Sequence, residues 1–513
     1  MPEPDRACFC KYCEEAFKKE FGRNLPRKLS VHTREYREVF EWRYKVTVKA
    51  IEKIKKAISG ENPSAALAYN NHPAGWRGRA NKIVELAREH LDVIFAECSE
   101  ADYQPPGFIA EMTRLTLAVS GGKPVWVSRN SFHTCLTTTV TTPLAIRQGL
   151  RESFIAGGHP LYLVFSSAFK QDDRIAEAVS QVYKEIESLE DYMKNAEPIK
   201  YAAILFSNRS RDWCEEGDHL TDSFRGFYYA LLWNHLPVTY ISDRDLDENN
   251  LKNFKLLIVA NAPSISREGV NSIEEFVRNG GGLITTFNSS IMDEKGFNLG
   301  ELALSKILGV EYLNTICSPW TYIKITGEHG VTSGFHLNQL ILWGDFDKEF
   351  INNRVPPYLS CHVKTSATTG KPLAEVIGAT AGYGNEYENG RSPPTAGKPL
   401  GIPAIIINEY GKGKTVYFSG QPGRLFWRTG LPDIEKLILN ATAWAGGEPP
   451  VKALGPETFE VSAFKKKDLM IIHLLNYTYN QRILSKPPAT LEKAVFNTCD
   501  AIHPARSIVP IHD

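Results

Sequence analysis

Cys8-Phe-Cys10-Lys-Tyr-Cys13 gathers three thiols immediately ahead of the helical pattern Glu14-Glu-Ala-Phe-Lys-Lys-Glu-Phe. Zinc takes thiolates in tetrahedral sites, and a C-x-C-x-x-C turn lets three sulfurs converge while the following helix N-terminus favours their negative charge. The cluster predicts a structural Zn2+ on Cys8, Cys10 and Cys13. Its fourth ligand is Cys98, His32, a solvent molecule or, the favoured choice, a residue outside this chain. The plainer alternative is chance clustering of cytosolic thiols in a mobile terminus. A second centre of chemistry is Glu97, the carboxylate that closes the apolar run Leu91-Asp-Val-Ile-Phe95. Such a group rarely stands at an apolar strand end without a role or a partner. The alternatives are a catalytic role and a buried ion pair with Arg77, Arg79 or Arg129.

The elements that must position these residues alternate regularly. A long amphipathic helix is predicted from about Val31 to Ser59, ended by the breakers Gly60 and Pro63. Strands at Ala65–Tyr69, Leu91–Phe95, Pro124–Val127 and Leu161–Phe165 are each followed by a helix, at about 79–90, 108–120, 143–157 and 172–195. Continuous apolar strands with helical crossovers imply a parallel sheet buried on both faces. Four such units look like half of a (β/α) barrel of the TIM type, in which residues just beyond the strand C-termini line the active site. Those residues are Asn70, Asn71, His72, Trp76 and Arg77, then Glu97, Glu100, Asp102 and Tyr103, then Arg129, Asn130 and His133, and finally Ser166, Ser167 and Lys170. Carboxylates and amides for hydroxyls, with Trp and Tyr faces for stacking, suit a carbohydrate. Asn71 and His72 have the plainer role of capping the next helix or shaping its turn, and Trp76 that of packing.

Lysine plus arginine equals aspartate plus glutamate at 59 each in 513 residues, so no global field draws the chain to nucleic acid or to a membrane. No run of 18 apolar residues stands in the sequence, and the first 30 residues lack the succession of a signal peptide, so a cytoplasmic protein is expected. Nine cysteines, with six outside the cluster, suit reduced thiols better than a disulfide framework.

A second α/β domain is expected over 198–447. Its strands are Lys200–Phe206, Val238–Ile241, Leu256–Ala260 and Gly282–Phe287, with helices at 222–235 and 267–280, and it closes on Pro403–Ile407, Gly411–Gly420 and a helix at 433–445. A turn-rich insertion is expected at about 318–402. Gly411-Lys-Gly413-Lys-Thr has the wrong spacing for a phosphate loop and reads as a hairpin turn. From 448 to 513 the alternation of Thr458–Phe464 and Leu469–Leu475 predicts a small β module.

The cysteine cluster, the four βα units and the domain after them together resemble the barrel glycoside hydrolases that include family 42 β-galactosidases, and more closely the hypothetical glycosyl hydrolases that carry a β-galactosidase trimerisation domain. The resemblance implies a partial barrel that starts mid-barrel and lacks the first four strands, a flavodoxin-like, class I amidotransferase-like trimerisation domain, and a homotrimer acting on a carbohydrate without an organic cofactor. It also implies that the usual acid/base falls before Met1. The position of the family's nucleophilic glutamate reads Val127-Ser128-Arg129-Asn130, where Arg129 would stabilise an anion or an acidic sugar. Glu97 is then the best catalytic carboxylate, with Asn71, His72, Trp76, Arg77, Asp102, Arg129 and Asn130 as substrate contacts. Hydrolysis of an O-glycosyl bond by carboxylate acid/base chemistry is the expected function; the alternative is a non-hydrolytic carbohydrate-binding or scaffold relative. An amidotransferase nucleophile would be a cysteine on a strand-to-helix turn, but the turns read Asn261-Ala262-Pro263 and Asn288-Ser289-Ser290. Interface formation is therefore the expected role of the domain.

Overall fold

The computed structural model describes residues 8–70, 88–98, 104–131, 140–164, 168–214, 217–318, 321–343, 360–380, 395–478 and 495–498. Helix α1 (Lys11–Phe21) starts on Cys10 in extended conformation and stops at Gly22, whose φ of 70° places it in the left-handed region that glycine tolerates. Phe17 is its buried residue and meets the edge of Trp42 at 5.1 Å between ring centroids. Trp42 belongs to α2 (Arg34–Glu61), whose first turn is capped by Thr33 accepting from the Tyr36 amide at 3.2 Å.

Strands β1 (Ala68–Asn70), β2 (Val93–Ala96), β3 (Val125–Asn130) and β4 (His159–Leu163) form a parallel sheet in the order β1-β2-β3-β4. Between them run α3 (Phe108–Ser120) and α4 (Pro143–Ile155), and α5 (Asp173–Met193) follows. Ile94, Ala96, Val125 and Val127 are buried on the face that these helices cover. Phe95, Trp126 and His159 pair in register on the other face, where Trp126 is 39 % exposed. The sheet was expected to be buried on both faces; the helix side is closed, whereas the other face is mixed, with Val93, Ser128 and Asn130 buried and Trp126 and His159 exposed.

After the short β5 (Glu197–Pro198) comes the second domain, with β6 (Ala202–Phe206), α6 (Gly217–Trp233), β7 (Val238–Ser242), β8 (Leu256–Ala260), α7 (Arg267–Arg278) and β9 (Gly282–Thr286). The segment expected as a turn-rich insertion contains strands. Strand β10 (Val310–Ser318) leads into it, β11 (Thr321–Ile325), β12 (Leu340–Leu342), β13 (Ser360–Ala367) and β14 (Lys371–Ala379) lie within it, β15 (Ala396–Tyr410) runs out of it, and β16 (Gly413–Phe418) follows. One nine-stranded sheet results, in the order β12-β11-β14-β15-β16-β9-β8-β6-β7, with β16, β9, β8, β6 and β7 parallel and the rest antiparallel. Tyr410 pairs with Gly413 across the two-residue turn Gly411-Lys412, the hairpin expected from sequence. Gly411 has φ 61°, and an added Cβ there would lie 2.5 Å from the Arg278 carbonyl oxygen. Helices α8 (Pro422–Thr429) and α9 (Pro432–Gly446) complete the domain. Two of the cysteines expected as reduced thiols, Cys317 and Cys361, are bridged in register across β10 and β13.

The β module holds β17 (Val451–Leu454), β18 (Phe459–Lys466), β19 (Leu469–Asn476) and β20 (Val495–Thr498), and β5 pairs onto β18. Helix α3 lies where the three parts meet and is buried on nearly every side, including its charges Glu111 and Arg114. Arg114 reaches Glu460 of β18 at 2.7 Å and the Tyr228 hydroxyl of α6 at 2.6 Å. Glu111 accepts from Arg225 at 2.9 Å and from the hydroxyls of Tyr229 and Tyr240 at 3.1 Å each. The charges therefore answer one another across the seams, as burial demands.

Candidate active site

Glu97 follows the last residue of β2, half-buried at the C-terminal edge of the parallel sheet. Its neighbours are the last residues of the flanking strands. Asn70 donates from Nδ2 to one Glu97 oxygen at 2.7 Å, and Asn130 donates from Nδ2 to the other at 3.3 Å. Asn130 is held in turn: its Oδ1 accepts from the Ser128 hydroxyl at 3.1 Å, and its carbonyl accepts from Thr141 at 2.9 Å. The Ser128 oxygen also accepts from the Cys98 amide at 3.2 Å. With its oxygen committed to Ser128, the Asn130 amide presents its NH2 group to Glu97. Both carboxylate oxygens thus accept amide hydrogens, the one from Asn130 held in place and the one from the exposed Asn70.

Arg129 does not join this group. Successive strand residues face opposite sides, so with Ser128 and Asn130 toward Glu97 the Arg129 side chain turns to the helix layer. It is 6 % exposed, and a Cβ added to Gly149 of α4 would meet its Cδ at 2.9 Å. Its charge there acts on Glu152 and Tyr162. The role expected for Arg129 on an anion above the barrel is therefore corrected by strand alternation, as is its ion pair with Glu97. Asn71, His72, Trp76, Arg77 and Asp102 lie outside the described residues. Ser128 was missed as a site residue, although its i, i+2 spacing from Asn130 was the available signal.

The three sulfurs of Cys8, Cys10 and Cys13 lie within 4.8 Å of one another. Tetrahedral zinc with bonds of about 2.3 Å sets its sulfurs roughly 3.8 Å apart, so the donor set fits three of four ligands. Backbone donation from Cys13 and the Cys8 thiol lowers the Cys10 pKa, whereas burial and the neighbouring thiols push Cys13 up to about 11. Arg43 stacks over Phe9 at 5.1 Å and over Trp42 at 5.5 Å, and its charge is felt by Cys13 and Cys8. Among the described residues neither Cys98 nor His32 belongs to the cluster; Cys98 is buried beside Ser128.

In the second domain Asn261 follows β8 with φ 48°, a strained strand-to-helix corner of the kind that presents a nucleophile. An amide occupies it, and it donates to Gln421 at 2.9 Å. Cys214 lies instead after the short helix Asn208–Trp213.

The sequence signature of the β-galactosidase trimerisation domain covers residues 201–321. β-Galactosidase BgaP of Planococcus sp. (strain L4) is 25 % identical over 322 residues, which are 59 % of this chain and 39 % of that protein. The chain thus spans about two fifths of the length of this curated relative, and 33 % of BgaA from Planococcus sp. (strain 'SOS Orange'). Among solved structures, the β-galactosidase of Bacillus circulans sp. alkalophilus superposes with a TM-score of 0.66 at 15 % identity, covering 92 % of this chain and 71 % of its own. α-L-Fucosidase isoenzyme 2 of Paenibacillus thiaminolyticus gives 0.67 at 15 % identity, covering 95 % and 67 %. The likeness to these structures shows a shared fold, with barrel-type βα strands followed by a second α/β layer. The match at residues 201–321 falls in that second layer.

Proposed function

We propose that this protein hydrolyses an O-glycosyl bond of a carbohydrate, with Glu97 as one catalytic carboxylate. The observation that carries the reading is the clamp of Glu97 between Asn70 and Asn130 at the C-terminal edge of the parallel strands, where barrel enzymes keep their chemistry. A carboxylate oriented by hydrogen bonds to both oxygens is arranged to attack an anomeric carbon or to take a proton from water. The leaving oxygen needs a proton from a second carboxyl group, for which Asp102 and Glu100, beyond β2, are the candidates. β-Galactosidases and an α-L-fucosidase share the architecture, so both sugars are substrates to try. Glu97→Gln is expected to lower kcat/KM for aryl galactosides or fucosides by at least about a hundredfold. Unchanged turnover would remove Glu97 from the chemistry.

A second reading, a carbohydrate-binding relative without hydrolysis, is favoured by the end of β3, where Ser128 and Asn130 and no carboxylate face Glu97. Sugar binding by the intact chain without release of the aryl group would support it over the first.

Cys8, Cys10 and Cys13 are further proposed to hold a structural Zn2+ that braces the start of α1, with a fourth ligand beyond them. Metal analysis is expected to return one zinc per chain, lost in Cys10→Ser. The trimerisation domain supports a homotrimer, which sedimentation would register as three chain masses. Cytoplasmic residence is proposed because the gathered thiols need a reducing compartment. The Cys317–Cys361 bridge is at odds with it, and a thiol count on protein isolated under alkylating conditions decides.

A further inference from the structure

A cleft of about 700 Å3 lies between α2 and the second domain, away from Glu97. Its domain side is made by the segments after β6, β7 and β9, which supply Arg209, Arg244 and Lys295. In the order β7-β6-β8-β9-β16 the chain leaves β6 to one side for β7 and returns to the other for β8. Open parallel sheets bind their ligands outside the carboxyl ends of the strands beside such a reversal.

The lining has its own chemistry. Six cationic and four carboxylate side chains face the cleft; Arg34 pairs with Glu38 at 3.1 Å, Arg209 with Asp243 at 3.0 Å and Arg244 with Glu89 at 3.3 Å, each leaving further guanidinium N–H donors. The floor is rigid. Arg37 is consumed by carbonyls, with Nη1 donating to Val31 at 3.2 Å and Thr33 at 3.0 Å and Nη2 donating to Gly296 at 2.7 Å. It carries the Phe297 ring 4.4 Å above it, and that ring is 41 % exposed. Arg209 is set by Asp243, which accepts from both its backbone N–H at 3.3 Å and its Nη1 at 3.0 Å. Lys295 is exposed, and among the described residues its ammonium has no partner.

We propose that this cleft binds a phosphate monoester carried on a ring, with the phosphate on Lys295, Arg209 and Arg244 and the ring against Phe297. Guanidinium and ammonium donors answer a phosphate, and a fixed, exposed aromatic face answers a sugar or a base. The volume lies within the range of small-molecule sites. This inference does not rest on hydrolysis at Glu97.

Isothermal titration of the full chain with AMP, glucose 6-phosphate and inorganic phosphate tests it. AMP or glucose 6-phosphate is expected to bind at least about tenfold more tightly than inorganic phosphate, and the better of the two assigns a base or a sugar to Phe297. Lys295→Glu is expected to weaken that ligand about tenfold or more, the loss of one charge-assisted hydrogen bond. Phe297→Ala should bring its affinity down to that of inorganic phosphate. An unchanged thermal unfolding curve for Lys295→Glu shows that the variant folds. Absence of binding by both ring-bearing phosphates, or equal binding by Lys295→Glu, overturns the proposal. So does a Lys295→Glu variant whose only change is its assembly mass, which would make the cleft a contact between copies of this chain.

Discussion

A carboxylate at the end of an apolar strand needs its charge answered, and among the described residues Glu97 finds two amides. Amides leave the negative charge in place, whereas an arginine would have neutralised it. Ser128 decides which end of Asn130 meets Glu97, so Ser128→Ala frees that amide to turn. A fall in kcat of between about tenfold and a hundredfold, smaller than for Glu97→Gln, is the expected outcome in steady-state assays with aryl glycosides. Wild-type kcat in Ser128→Ala would separate the clamp from catalysis. Glu97 was legible because its type conflicts with its surroundings. The facing of Arg129 was legible too, since a strand alternates, but the position inherited from a resemblance obscured that period. What no local pattern could give was Asn70 and Asn130 reaching Glu97 from separate strands.

Helix α3 was readable to the residue, because its apolar run is long and is bounded by Gly107 and Gly121. The strand expected at 65–69 formed at Ala68–Asn70 instead, since three residues carry too little period to fix an edge. Strands β11 and β14 were hidden by the Gly- and Pro-rich stretch between β14 and β15, although Thr321–Ile325 alternates buried and half-buried residues as a strand should. The start of α3 holds a feature invisible to periodicity. Glu152 of α4 accepts from the amides of Ile109 at 2.9 Å and Ala110 at 3.4 Å, filling donors that Gly107 cannot cap. Burial, with the Glu460 carboxylate nearby, pushes its pKa up to about 8 from an ordinary 4.5. A carboxyl that is more basic in the folded chain contributes stability that is complete below about pH 4.5 and is lost as pH rises to about 8. The unfolding free energy from denaturant titrations across that window should therefore decline by up to about 1.4 kcal/mol per pH unit from this group, and Glu152→Gln should flatten the decline. Identical slopes for both proteins would mean that Glu152 titrates normally.

At the scale of the whole molecule, α3 is a shared core element, with the barrel strands on one side, β7 and α6 on another, and β18 at its end. Its Glu111 and Arg114 signalled buried charge from the sequence, but their partners lie more than a hundred residues away, beyond the reach of any pattern along the chain. Breaking one such pair leaves a charge without compensation. Arg114→Met is expected to cost about 3–5 kcal/mol by urea denaturation, because Glu460 stays buried. Loss of less than about 1 kcal/mol would show that water reaches this seam.

The pairing of β5 with β18 has a mechanical consequence. Glu197 and Pro198 stand just before the second domain, Lys465 and Phe464 just after it, and the two segments are zipped antiparallel, with the Ile199 amide adding a bond to Ala463 at 2.9 Å. Everything between them is a closed loop. Tension applied along the backbone from either side passes through this ladder and bypasses the nine-stranded sheet, which carries no load until the zipper shears.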